Sequence, residues 1–155
     1  MQFRSILASL RLRPRSSFSV AGSAVVLALA AVLQPACAQT GNDDVMLQMK
    51  QAFQRGDKGR LAALLPQTRG SMLEPWASYW ELKARLQEAS PLEVQDFLTR
   101  YAGTYQEDRL RNDWLLVLGQ RRDWDGVAAM HPSYRMGDDA QVRCYAILSS
   151  LARAG

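Results

Sequence analysis

A chain of 155 residues has room for one domain rather than two, and its 48% of apolar residues suits a globular core. The formal charge of +4 comes from the N-terminal end: Arg4, Arg11, Arg13 and Arg15 precede every acidic residue, and from Gln39 onward 15 basic residues face 15 acidic ones. A nucleic-acid-binding domain would keep its surplus of cations in the folded part, so nucleic acid is excluded as a partner.

The first segment reads as a targeting sequence. Arg4 to Arg15 is basic, Val20 to Leu33 ("VAGSAVVLALAAVL") is a 14-residue apolar stretch, and Pro35 closes it ahead of the small residues of "ACA" at 36–38. This is the pattern of a secretory signal, with cleavage expected after Ala38 and a periplasmic destination. The apolar stretch falls short of the ~20 residues that span a bilayer, so no stable membrane anchor is expected. A lipid on Cys37 would require aliphatic and small residues where Gln34 and Pro35 stand. Removal of residues 1–38 leaves Cys144 as the single cysteine, which excludes an internal disulfide and a cysteine-built metal site.

Helical periodicity then runs along the chain. A helix is expected from about Asp43 to Arg55, with Val45, Met49, Ala52 and Phe53 on one side and Gly56 as its stop. A short helix at about Gly59–Leu65 ends at Pro66. The next runs from Leu73 to Ala89, with Trp76, Tyr79, Trp80, Leu82 and Leu86 on one broad face and Glu81 and Arg85 paired at i, i+4. In "SPLEV", Ser90 can cap, Pro91 fits the first turn and Glu93 completes a capping box. That helix carries Val94, Phe97, Leu98 and Tyr101 to a stop at Gly103. Further helices are expected at Gln106–Leu118, closed by Gly119, at about Asp123–Met130, and from Asp139 to Ala154. No segment alternates with period two, so no strand is expected.

The stretch "DRLRNDWLLVLGQRRDW", Asp108 to Trp124, sets two tryptophans and an unbroken apolar run among four arginines and three aspartates. Leu110, Trp114, Val117 and Leu118 share a face, and Leu115 and Leu116 widen it until the second half is apolar nearly all round. Such a helix is buried between neighbours. Asp108 can then pair with Arg111 and Arg109 with Asp113. The functional alternative is that Arg109, Arg111 and Trp114 line a groove for a sugar or peptide polymer.

The remaining chemistry-bearing residues give no enzyme. Glycoside cleavage needs a carboxylic acid of raised pKa in a cleft, whereas Glu74, Glu81 and Glu88 recur every seven residues on a face read as solvated. Cys144 starts a stripe with Ile147, Leu148 and Leu151, which reads as a buried structural thiol. His131, ahead of Pro132, has no second ligand. No catalytic, metal or cofactor-binding residue is therefore assigned, and no cofactor is implied. Short helices on short turns pack as antiparallel hairpins, and stacked hairpins make an α-superhelix, with a compact bundle as the rival. No clean repeat register is visible in the apolar spacing.

Three segments carry a resemblance. "LEPWASYWELKARL" (73–86), "EVQDFLTRYAGTYQEDRLRNDWLLVLGQRRDW" (93–124) and "VRCYAIL" (142–148) resemble the N-terminal superhelical region of soluble lytic murein transglycosylases. The likeness covers about Asp44 to Leu151. It implies an all-α superhelix that scaffolds a lysozyme-like domain in a periplasmic enzyme. That enzyme cleaves peptidoglycan between N-acetylmuramic acid and N-acetylglucosamine with a 1,6-anhydro product. The chain departs from the family in having no Glu-Ser dipeptide and no Gly-Leu-Met-Gln stretch, so no catalytic residue is carried over. The resulting expectation is a signal peptide (1–38) followed by a partial, non-catalytic scaffold (39–155). Peptidoglycan would be met through the full-length enzyme, and the uncapped last helix would give self-association. The other class is a free-standing periplasmic helical adaptor for a protein or glycan strand.

Overall fold

The computed structural model describes residues 35–155, with side chains from Gly41 onward, so the targeting segment read at 1–38 lies outside the described residues but for its last four. The described chain is all-α. It consists of α1 (Pro35–Gln54), α2 (Lys58–Leu64), α3 (Glu74–Ala84), α4 (Pro91–Arg100), α5 (Tyr105–Gln120), α6 (Trp124–Met130) and α7 (Ala140–Ala154), with 3-10 turns at Leu65–Thr68 and His131–Ser133. No strand occurs among these residues.

Local chemistry sets most boundaries. The capping box at α4 is present in full: the Glu93 N–H donates to Ser90 Oγ at 3.3 Å, and the Ser90 N–H donates to Glu93 Oε2 at 2.8 Å. Thr104, Asp123 and Asp139 cap α5, α6 and α7 in the same sense, each accepting a backbone N–H of the first turn. Several boundaries differ from expectation, and the first helix starts at Pro35 rather than at Asp43. The α3 helix stops at Ala84 instead of Ala89: Arg85 leaves the helical track at φ −118°, ψ 18°, and its guanidinium bridges Glu81 and Glu93, both at 2.6 Å. Gly119 does not end α5. The helix continues to Gln120 and stops where Arg122 takes a left-handed φ of 58°.

Helices pack largely in chain order. α1 lies on α2 and α3, α3 on α5, and α5 on α4, α6 and α7. One core cluster, built on Met49, Ala52, Leu61 and Ala77, joins α1 to α2 and α3. The larger one gathers Leu82, Val94, Phe97, Leu110, Trp114, Leu115, Val127 and Val142. The half-buried Trp76 and Trp80 pack against both.

The structure contains a repeat that apolar spacing does not reveal. A shift of 66 residues carries Asp57 onto Asp123, Lys58 onto Trp124 and Glu74 onto Ala140, the starts of α3 and α7. Asp57 and Asp123 cap seven-residue helices with φ, ψ of −79°, 83° and −79°, 79°, and each accepts from the N–H three residues on. The hydrogen bonds that close the preceding helix also correspond. Gly56 N–H to Phe53 O (3.1 Å) and Asp57 N–H to Ala52 O (2.9 Å) match Arg122 N–H to Gly119 O (3.1 Å) and Asp123 N–H to Leu118 O (3.0 Å). This is the Schellman closure, whose left-handed position is Gly56 in one copy and Arg122 in the other. Both short helices run into a proline-bearing 3-10 turn, at Pro66 and at Pro132. Sequence identity across the shift is confined to positions such as Gln54/Gln120, Arg55/Arg121, Ala62/Ala128 and Ala63/Ala129. α4 follows α3, and no described helix follows α7.

The last helix reverses an expectation. Cys144 is exposed, and the stripe it starts faces solvent: Ile147 is 62% exposed, Leu148 46% and Leu151 66%. The inward face is instead Val142, Tyr145, Ala146 and Ser149. Ser149 Oγ donates to the Trp124 carbonyl at 2.7 Å, and the Tyr145 ring lies over Gly119 so closely that a Cβ there would stand 2.1 Å from Cδ2. The absent side chain at 119 is what draws α7 in through its tyrosine.

Candidate functional site

α5 holds most of the buried charge, and its first half explains why. Glu107 accepts from Arg111, from Arg135 Nη2 at 2.8 Å and from the Gly103 N–H at 2.8 Å. Asp108, 3% exposed, accepts from the N–H groups of Arg135 (3.0 Å) and Met136 (2.7 Å), and Arg111 Nε approaches it at 3.7 Å. These two carboxylates pin the connection between α6 and α7 onto α5. Burial alone would raise the Glu107 pKa, but Arg135, the Gly103 N–H and Arg111 together hold it below the ordinary value. Asp113 works on the other side, accepting from Tyr79 Oη at 2.7 Å and from Lys83 Nζ at 2.6 Å. Burial first, and then the bond to Asp113, push the Tyr79 hydroxyl pKa well up. Tyr79 is therefore a neutral donor that ties α3 to α5.

The three residues considered for a ligand groove take different places in this arrangement. Trp114 is 3% exposed, and Arg121 lies over its ring at 5.4 Å, so no face of the ring is open to a ligand. Arg111 is buried against Glu107 and Asp108. Only Arg109 keeps partial exposure, and it faces Tyr79 and Asp113. The pairing expected between Asp108 and Arg111 is present. The one expected between Arg109 and Asp113 gives way to Lys83, which lies 30 residues upstream and beyond the reach of helical spacing. α5 is thus a buried helix whose charges are neutralised by its neighbours.

The carboxylates read as solvated are each engaged. Glu74 accepts from the Gly70 N–H (2.7 Å) and from Tyr101 Oη (3.1 Å), Glu81 pairs with Arg85, and Glu88 with Lys58. Among the described residues no group of three His, Cys, Asp or Glu side chains is placed to hold a metal ion, and no helix is long and apolar enough to cross a membrane.

An open apolar groove lies elsewhere, between α1 and α3, with a volume of about 440 Å³. Met46, Leu47, Leu73, Trp76 and Trp80 line it, with Asp43 and Lys50 at its rim. Its tryptophans belong to a ribbon of rings. Phe53 and Trp80 stack at 6.2 Å, Trp80 and Trp76 lie 6.0 Å apart, and Trp76 and the exposed Tyr105 5.7 Å. Aromatic faces beside a few polar groups can hold a flat apolar surface, including the C–H face of a sugar ring. The sequence signal for it was present in Trp76 and Trp80, which the helical wheel assigns to a core face; what it lacks is the edge of α1 that leaves them half-open.

No family model matches the chain, and no curated protein or solved structure shows significant similarity to it.

Proposed function

We propose that the chain is a non-catalytic scaffold portion of a periplasmic peptidoglycan lytic transglycosylase, exported by a signal ending at Ala38. The observation that carries this reading is the 66-residue repeat of helix hairpins. A superhelix is built by such repetition, each unit burying its face against the next, and the segments 73–86, 93–124 and 142–148 resemble that region of the family. The chain carries no counterpart of the family's catalytic Glu-Ser pair. Its role in this reading is to position a glycan-cleaving domain, with no bond-breaking of its own. Two measurements test it. Genomic sequence in frame beyond codon 155 should encode a lysozyme-like domain, and the 155-residue chain should release no anhydromuropeptides from sacculi. Glycan turnover by this chain, abolished by replacing one of its glutamates, would overturn the reading.

One observation favours a second reading, a free-standing helical adaptor that holds a glycan strand: the groove of Trp76 and Trp80. Quenching of tryptophan fluorescence by muropeptides, lost in Trp80→Ala but kept in Trp124→Ala, would support it. An unrelated gene directly after a stop at codon 156 would favour it over the first.

A further inference from the structure

Arg111 is a buried cation with more donors than its surroundings accept. Its Nη2 donates to Glu107, while its Nε stands 3.7 Å from Asp108, beyond hydrogen-bond distance and with no other partner. Its Nη1 donates to Met130 Sδ at 3.2 Å, and among the described residues that sulfur is its one acceptor. A guanidinium has five N–H groups to place, and a thioether sulfur is a weak acceptor. A buried, charged donor held by so weak an acceptor forgoes much of the bond it could make. Met130 closes α6, is half-buried and packs against the larger core. Among the described methionines it alone has a sulfur that accepts a hydrogen bond.

We infer that Met130 is a site of oxidation by hydroperoxides, and that Arg111 holds the sulfoxide product. Nη1–H engages one lone pair of the sulfur, and the other attacks the outer oxygen of the peroxide. The O–O bond breaks and that oxygen passes to sulfur. The rest of the peroxide takes up the hydrogen that the oxygen carried and leaves as an alcohol, or as water from hydrogen peroxide. The sulfur is oxidised by two electrons and the peroxide is reduced by two. Three rotatable bonds let the side chain turn its new oxygen to Arg111, which then donates to oxygen in place of sulfur. Sulfoxide formation ordinarily disrupts a core by setting a polar group in apolar surroundings. Here the polar group meets a buried cation with donors to spare, so the product tightens the α5–α6 contact. Glu107 binds both Arg111 and Arg135, so the tie extends to the connection between α6 and α7. This chemistry is independent of the peptidoglycan reading.

Reactivity and two variants of the 155-residue chain test it. Limiting hydrogen peroxide followed by peptide mass spectrometry should find Met130 oxidised within about tenfold of the rate of Met72, which is 95% exposed, and far ahead of Met49, which is 0% exposed. Met130→Gln sets an amide oxygen near the place of the sulfoxide oxygen, whereas Met130→Leu keeps the apolar bulk without an acceptor. Both are small changes at a half-buried helix end, and circular dichroism verifies that the fold is kept. The urea midpoint of Met130→Gln should equal or exceed that of Met130→Leu. Nuclear magnetic resonance should find the Arg111 guanidinium protons exchanging more slowly in the glutamine variant than in the leucine one. A Met130 as unreactive as Met49 would overturn the proposal. So would a midpoint for Met130→Gln below that of Met130→Leu, or equal exchange of the Arg111 protons in the two.

Discussion

Asp108 shows how much one side chain holds. Its buried carboxylate satisfies two backbone N–H groups of the α6–α7 connection and stands beside the buried Arg111. Asp108→Ala should cost about 3 kcal/mol, because it leaves two backbone donors without their acceptor and Arg111 with Glu107 as its one remaining carboxylate. Urea denaturation measures the loss, and hydrogen exchange should quicken at the amides of Arg135 and Met136. Arg122 predicts the opposite sign. Its φ of 58° costs an L-residue ~1–2 kcal/mol, while the matching position in the other copy of the motif is Gly56. Arg122→Gly should therefore raise stability by about 0.5–1 kcal/mol, the entropy of glycine offsetting part of the relief. The urea midpoint reads this, with an unchanged slope. Glu93 supplies a pH dependence. The Ser90 N–H, then Arg85 and the Ser90 hydroxyl, lower its pKa from 4.5 to about 2 in the folded state. A folded pKa below the unfolded one gives stability that is present above pH 4.5 and fades as pH falls toward 2. Glu93→Gln should flatten that part of the acid limb, by a modest amount because the pair is open to solvent screening.

At the scale of helices, Gly119 decides how α7 sits. By intrinsic propensity, alanine is the better helix former by about 1 kcal/mol. Gly119→Ala should nevertheless destabilise, by about 1–3 kcal/mol, since its Cβ would meet the Tyr145 ring. Thermal melting gives the sign, and faster exchange in α7 alone would locate the effect. Helical periodicity made the helices legible, and local caps marked the starts of several: Ser90 with Glu93, Asp123 before its short helix, Asp139 before the last. It did not say which way α7 would turn. Cys144, Ile147, Leu148 and Leu151 are the stronger apolar stripe, and hydropathy alone puts them inside. The face that packs is chosen by Gly119 and by the Trp124 carbonyl that receives Ser149, both far off in sequence. The pairing of Asp113 escaped for the same reason, its partners lying a whole helix hairpin upstream.

At the scale of the molecule, order of stability should follow order of cover. The segment Trp114–Leu118 lies under several neighbours, whereas α7 is covered on one side alone. Amide exchange should be slowest in the former and fastest in α7. A final helix protected as well as α5 in dilute monomer would mean that the apolar face costs little to expose. The all-α class was legible from the absence of period-two alternation. The repeat was not, because it is held by backbone closures and capping geometry that a glycine or an arginine, a lysine or a tryptophan can occupy equally. Few letters coincide across it. The groove of Trp76 and Trp80 escaped likewise, since a helical wheel shows a tryptophan's face and not the end of the neighbour that covers it.

Packing in chain order also sets the pace at which the molecule assembles. Among the described residues, no side-chain hydrogen bond joins positions more than 34 apart, the span of Arg121 to Gln87 and of Tyr79 to Asp113. Every ring the chain must close is therefore short, and the search for each partner is correspondingly brief. A topology of this kind folds in microseconds to milliseconds, not the seconds that distant strand pairing demands. Stopped-flow refolding should find its main phase at or below the dead time of a few milliseconds that such mixing allows. The first helix hairpin can therefore form while the last is still leaving the ribosome.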